Sequence, residues 1–523
     1  MDRPSRSSWA MVCATPCSAG WASSAAGPSA TATVAMPDPG EYWDPIAQWL
    51  ADAVFFIVHI YDGLPEWAVP IFIVAAVMVI SSTVSLVVLA ARAQRQLREA
   101  HREPADEAER DGRAGAGSSR EAEYLWVFMV PALNEETVIA DSVGRLAQVR
   151  VTHKRILVID DGSDDRTGEI LAGIAAPELT VLTRTAPNAR QGKSEALNDA
   201  WRHLHRVVLG SGEYRGWDPQ RVIVAIVDAD GRLDPLAGRA ARFFDDERVG
   251  GVQSQVRIYN RDGFLTLSQD LEFGVFGTVY QLGRTGWGIA NMGGNGQFNR
   301  LAALDEVAVE DAEGRTGPWR AGRLTEDQDI GLRLIHAGWR GAQSPDVVIE
   351  QQGLHSLRAL YRQRTRWAQG AWQSFSLIGA TLRNPHVGLV PRWDQFWYLL
   401  LPAIQAWVGL SVVLSVVFLA TGIARPPLTV FIVVLAYVFS AAPGVLGVLL
   451  ARSRPGLWGF LVGLLLAHLY LFYSWVIYPV VYRALIRQLV GAKTWAKTQR
   501  EAIEAPSAPS APSSEAPPSS GIA

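Results

Sequence analysis

From Trp67 to Ala91 the chain carries no charged side chain. At 1.5 Å per helical residue, such a run crosses the roughly 30 Å hydrocarbon core of a bilayer. This stretch implies a membrane protein. Asp62 and Glu66 precede the run, and Arg92, Arg95, Arg98 and Arg102 follow it. Cations collect on the cytoplasmic side of a span, so the segment after it is expected in the cytoplasm of a multi-pass protein of the cell membrane. Three more apolar blocks, Phe396–Ala420, Leu428–Leu450 and Leu457–Tyr482, are also long enough to span. Three spans leading out of a cytoplasmic head would end outside, whereas Arg483, Arg487, Lys493, Lys497 and Arg500 favour an inside C-terminus. The conflict leaves one block interfacial or re-entrant, or a different count.

Hydrophobic residues make up 49% of the chain, gathered into these blocks, and the formal net charge is −3. A nucleic-acid partner, which needs a strongly basic face, is excluded on that balance. The two cysteines, Cys13 and Cys17, lie in a Ser/Ala/Pro-rich leader and form neither a disulfide framework nor a paired metal knuckle. The expected layout is a disordered leader (1–45), then an interfacial segment and transmembrane helix (46–91) and a cytoplasmic linker (92–123). A soluble head (124–375), interface and C-terminal transmembrane helices (376–490) and a disordered tail (491–523) complete it.

In the head, Tyr124–Val130, Arg155–Ile159, Leu179–Leu182, Arg221–Val227 and Val249–Ile258 read as strands. Glu136–Val149, Arg166–Ala175 and Ser194–Val207 read as helices. The alternation implies an α/β fold with a mainly parallel sheet and helices on both faces. Ligands of such sheets bind at the carboxyl ends of the strands, where the acidic clusters fall.

Asp160-Asp161-Gly162-Ser163 ends the second strand. Carboxylates there suit a nucleoside; the structural alternative is a turn capping the next helix. In Asp228-Ala229-Asp230 both carboxylates can face one side of an extended segment. Hard oxygen ligands at that spacing suit Mg²⁺ or Mn²⁺ carrying a diphosphate. Lys193 follows Arg190-Gln191-Gly192 at a helix start and suits phosphate. Gly293-Gly294-Asn295-Gly296-Gln297 is a turn that lets backbone approach a ligand, or a plain loop. Glu326 and Asp327 open a helix, where acids complement the dipole or supply a general base. Arg366 and Trp367 offer a cation for phosphate and an aromatic face for a sugar ring, or a membrane-interface anchor.

From Val127 to Gly370 the ensemble resembles the catalytic domain of membrane-integrated family 2 glycosyltransferases. Its pieces stand in order: Val130-Pro131-Ala132-Leu133-Asn134-Glu135, the Asp160 tip, Gly192-Lys193 with Ala196-Leu197-Asn198, Asp228-Ala229-Asp230, Thr325-Glu326-Asp327, and Gln363-x-x-Arg366-Trp367. The resemblance implies a GT-A-type α/β head flanked by transmembrane α-helices, and inverting transfer from a UDP-sugar with Mg²⁺ or Mn²⁺. It further implies Asp160 and Asp161 at the nucleoside, Lys193 near the diphosphate, and Asp228 and Asp230 at the metal. Asp327 would be the base, with Glu326, Gln363, Arg366 and Trp367 at the acceptor. The spans and the Gln-x-x-Arg-Trp motif are similar to synthases of cellulose, hyaluronan and poly-N-acetylglucosamine, so the first expectation is a growing β-linked polysaccharide. The turn at Gly293–Phe298 is similar to that of glucosyltransferases that act on diacylglycerol, which makes a lipid acceptor the alternative. Accessory subunits are left open.

Overall fold

The computed structural model describes residues 48, 63–111, 119–423, 437–438, 441, 444–451 and 456–492. All but residue 48 belong to one unit, Gly63–Ala523. The leader, most of the 46–61 segment, nearly all of the tail and much of the Leu428–Leu450 block lie outside the described residues.

The uncharged run is helical from Val69. It opens α1 (Val69–Asp111), of which Val69–Ala100 is long and apolar enough to cross a membrane. The helix continues well past Ala91, so the first part of the 92–123 segment is helical. Arg92, expected from sequence to be a flanking cation, donates Nε to the Gly283 carbonyl at 3.2 Å and lies 4.2 Å over the Trp287 ring.

β1 (Leu125–Ala132) is apolar along its whole length, as a strand with parallel neighbours on both edges should be. Trp126, Phe128 and Val130 enter one core layer and Leu125, Val127 and Met129 the other, following the two-residue period of a strand. α2 (Ile139–Ala147) covers the first layer with Ile139, Val143 and Leu146. After β2 (His153–Asp160), α3 (Thr167–Ala172) and β3 (Leu179–Thr183), α4 (Lys193–His203) covers the second with Ala196, Leu197 and Ala200.

The remaining strands are β4 (Val222–Ile226), β5 (Arg232–Leu233), β6 (Val249–Ile258), β7 (Gln297–Arg300), the small ribbon β8–β9 (Val309–Glu310, Thr316–Gly317) and β10 (Arg340–Gln351). The main sheet runs β3-β2-β1-β4-β7-β6-β10-β5. It is parallel except where β7 runs against β4 and β6, and β5 against β10. The match of Ala132 with Asp160 and of Met129 with Ile226 levels the carboxyl ends of β1, β2 and β4. Asp160, Asp161 and Asp228 therefore emerge along one edge.

α5 (Phe264–Val275), α6 (Glu326–His336) and α7 (Leu357–Gln373) surround that edge. α8 (Leu389–Ala420) is span-length, as is Leu457–Leu489, which contains α9 (Leu457–Ile477) and α10 (Val480–Leu489). Val77, Val84, Val416, Trp458 and Phe472 stay exposed on these helices. An apolar belt of that kind suits lipid and not water. α1, the head and α8 meet at a buried ion pair: Arg284 Nε stands 2.6 Å from Asp394 Oδ2, and Ser85 Oγ donates to Asp394 Oδ1 at 3.2 Å.

Candidate active site

A cavity of about 1300 Å³ opens at the carboxyl edge of the sheet and extends between α8 and α9–α10. Of the site residues expected from sequence, Asp161, Lys193, Asp228, Asp230, Glu326, Asp327, Gln363, Arg366 and Trp367 line it. Asp160 does not. Its carboxylate is buried and accepts the Ser163 backbone N–H at 2.9 Å, closing its own turn. At this tip Asp160 closes the turn and Asp161 faces the cavity.

Asp161 accepts from the Arg184 guanidinium and, at 2.9 Å, from the Arg190 N–H. Burial raises its carboxyl above the usual range, outweighing both donors. Lys193 bridges two acids, with Nζ 2.7 Å from Asp228 Oδ1 and 3.2 Å from Glu326 Oε1. Burial works against its charge, yet Asp228 and Glu326 hold its pKa above the usual lysine value. Glu326, expected on the acceptor side, is thus also the partner of the candidate phosphate-binding lysine.

Asp228 is fixed from behind, its N–H donating to Asn295 Oδ1 at 3.0 Å. Asp230 Oδ2 accepts the Gln352 N–H at 3.1 Å. Among the described residues no three His, Cys, Asp or Glu side chains converge as a metal cage. Two carboxylates beside a cavity still fit Mg²⁺ or Mn²⁺, because such ions are commonly held by one or two carboxylates together with substrate phosphates.

Asp327 stands at the head of α6, with Oδ1 accepting the Gln328 N–H at 2.8 Å. Burial pushes its carboxyl up to about 7, and Glu326 adds to the shift while Lys193, the Gln328 N–H and Arg366 oppose it. A carboxylate tuned to that range is suited to proton abstraction near neutral pH. α7 reaches this loop because Gly370 has no side chain: a Cβ there would collide with Thr325. Arg366 donates Nη1 to the Leu324 carbonyl at 3.2 Å, joining the two motifs directly.

Sequence reasoning missed Glu272, Arg364, Tyr398, Tyr473 and Tyr478, which also line the cavity. Glu272 is an acid within the otherwise apolar Leu271–Val275 stretch, a weak local signal. The tyrosines lie inside apolar blocks, where aromatic residues are unremarkable.

Residues 126–370 match the family model described as "Glycosyltransferase like family 2". The beta-monoglucosyldiacylglycerol synthase of Trichormus variabilis is 30% identical over 326 residues, covering 57% of this chain and 64% of that protein. The poly-beta-1,6-N-acetyl-D-glucosamine synthase of Staphylococcus aureus is 26% identical over 245 residues, covering 46% and 53%. The chain thus spans less than two thirds of the length of these curated relatives. Among solved structures, a mannosyltransferase of Pyrobaculum calidifontis in complex with GDP-Man and Mn²⁺ has a TM-score of 0.50 at 18% identity, over 81% of this chain and 99% of that one. That likeness supports the GT-A-type fold.

Proposed function

We propose, from the premise that residues 126–370 form a glycosyltransferase-like family 2 domain, that this chain is a membrane-bound inverting glycosyltransferase. The observation that carries the reading is the continuous cavity, which joins Asp161, Lys193 and Asp228 to Asp327 and runs on along two span-length helices. In this reading the catalytic head (124–375) lies at the cytoplasmic face of a multi-pass protein, with interface and transmembrane segments on either side.

The donor is a UDP-sugar. Asp161 takes the nucleoside, with Asp160 holding the tip in shape, and Lys193 turns from Asp228 toward the diphosphate. Asp228 and Asp230 would hold Mg²⁺ or Mn²⁺, which when bound would supply positive charge to neutralise a departing diphosphate. Asp327 accepts the proton of the acceptor hydroxyl as its oxygen bonds to the anomeric carbon. The bond from that carbon to the diphosphate oxygen breaks on the opposite side, so the configuration inverts and UDP leaves. Gln363, Arg366 and Trp367, with Glu326 behind them, orient the acceptor for in-line attack.

We take the acceptor to be a membrane lipid carrying a free hydroxyl, such as diacylglycerol. Two observations favour it over a growing polysaccharide. Leu401, Pro402, Ile477, Val480 and Val481 give the membrane side of the cavity an apolar strip beside Tyr398, Gln405, Ser474 and Tyr478. The Tyr478 hydroxyl donates to the Gln405 carbonyl and the Tyr482 hydroxyl to that of Ala406, at 2.8 Å, which fastens α8 to the end of Leu457–Leu489 beside the cavity. The polysaccharide reading keeps the support of the poly-N-acetylglucosamine synthase relative.

The test is to incubate membranes containing the chain with Mg²⁺ and radiolabelled UDP-glucose or UDP-N-acetylglucosamine, then partition the products. Label in the organic phase, lost in Asp327→Asn, is the expected result. Label confined to high-mass aqueous material would replace the lipid with a polymer. Undiminished transfer by Asp327→Asn would remove the base assignment.

A further inference from the structure

One side-chain cluster at the cavity wall has no part in the transfer chemistry. Glu272 of α5 accepts two hydrogen bonds on Oε2, from Arg364 Nη2 at 2.6 Å and from the Tyr473 hydroxyl of α9 at 2.8 Å. The Arg364 guanidinium donates Nη1 to Gln363 Oε1 at 2.8 Å and lies 4.1 Å over the Trp367 ring. Phe273, next to Glu272, meets Trp367 edge-on at 6.1 Å. Arg364 is 5% exposed and Tyr473 2% exposed, whereas Glu272 is open to the cavity on one side.

A buried guanidinium needs its charge answered, and here Glu272 answers it. The same guanidinium stacks on one acceptor-facing side chain and hydrogen-bonds the other, so where Glu272 holds Arg364 decides how Gln363 and Trp367 stand. Tyr473 ties that arrangement to a membrane helix, and the Tyr361 hydroxyl adds a second tie from α7 to the Val476 carbonyl. We propose that Glu272, Arg364 and Tyr473 are positioning residues that set the Gln363–Trp367 face for a lipid acceptor and lock it to α9. This inference rests on the lipid-acceptor reading.

The planar fork is what the geometry requires, because one guanidinium must bridge a carboxylate and an amide while covering an indole. Lysine keeps the charge but cannot do all three. The test uses the full chain in detergent with a fluorescent short-chain diacylglycerol, titrated in the presence of UDP and Mg²⁺, alongside a UDP titration. Arg364→Lys and Glu272→Gln are expected to weaken diacylglycerol binding by roughly tenfold, the scale of one charge-assisted hydrogen bond, and to leave UDP binding within about twofold. Tyr473→Phe, which removes one hydroxyl and keeps the ion pair, should act in the same direction by a smaller factor while the melting temperature stays near wild type.

Unchanged diacylglycerol binding in Arg364→Lys and Tyr473→Phe, with wild type binding normally, would overturn this inference alone. Equal losses of UDP and diacylglycerol binding would also overturn it, reducing the cluster to a packing element. A wild-type chain that binds UDP but no diacylglycerol would overturn both this inference and the lipid reading.

Discussion

The Asp327 carboxylate occupies the space that a side chain on Gly294 would need. A Cβ built on Gly294 falls 2.8 Å from Asp327 Oδ2, and the glycine has φ +86°, a conformation that L side chains rarely adopt. The turn and the candidate base are thus one fitted unit, although they lie far apart in sequence. Gly294→Ala should cost about 1 kcal/mol or more of stability through backbone strain. It should also displace the carboxylate, and a displacement near 1 Å can cost about a hundredfold in rate. Steady-state kinetics beside a UDP titration would check this, with kcat/KM expected to collapse and UDP affinity held.

The raised pKa of Asp327 predicts an acid limb in the pH profile. In its proposed role as base Asp327 works deprotonated, so kcat/KM should fall about tenfold per pH unit below about 7 and level off above it. Stability should move the other way. Folded Asp327 keeps a proton that the unfolded chain releases near the ordinary aspartate value of 3.8. Its contribution to stability is therefore fully present below that value and is lost as pH rises to about 7. Relative to wild type, Asp327→Asn should gain melting temperature progressively between those limits and no further above them. Scans at several pH values would show the trend, and a constant difference would contradict the assignment.

The strands that end near Asp160 and Asp228 are legible in the sequence because buried parallel strands demand apolar runs. Val249–Ile258 has the bounds its sequence implies, and β1, β2 and β4 differ from expectation only at their ends. β7 is not legible: Gln297-Phe298-Asn299-Arg300 is polar, yet all four residues are buried because antiparallel neighbours enclose them. β10 escapes sequence reasoning because Pro345 interrupts it, at the irregularity between Gln343 and Val348. The site motifs are readable as local clusters, but their couplings are not. Asp161 to Arg184, Lys193 to Glu326 and Glu272 to Arg364 join residues that only the tertiary fold brings together.

The proposed metal dependence can be separated from fold at Asp230. Its Oδ2 accepts the Gln352 N–H, a bond that the amide oxygen of Asn can replace. Asp230→Asn should therefore melt within about 2 °C of wild type, corresponding to a fraction of a kcal/mol, while requiring far more Mn²⁺ for half-maximal activity. Chelation should abolish transfer by the wild type, and added Mn²⁺ or Mg²⁺ should restore it. Activity that survives chelation would remove the metal from the scheme.

The pair Arg284–Asp394 tests how the head is held to its span-length helices. Both side chains are almost fully buried, at 6% and 7% exposure, and Arg284 also lies 4.8 Å over the Tyr398 ring that lines the cavity. Taking two charges out of water is costly, and their attraction offsets that cost only while both are present. Arg284→Met leaves the Asp394 carboxylate buried with the neutral Ser85 hydroxyl in place of a cation, and should destabilise the protein by about 3–5 kcal/mol. The double variant Arg284→Met with Asp394→Leu removes both charges and should recover most of that loss. If Arg284 also holds Tyr398 in place, the double variant should remain impaired in transfer after its melting temperature has recovered. Full recovery of both would show that the pair fastens the fold and does not shape the cavity.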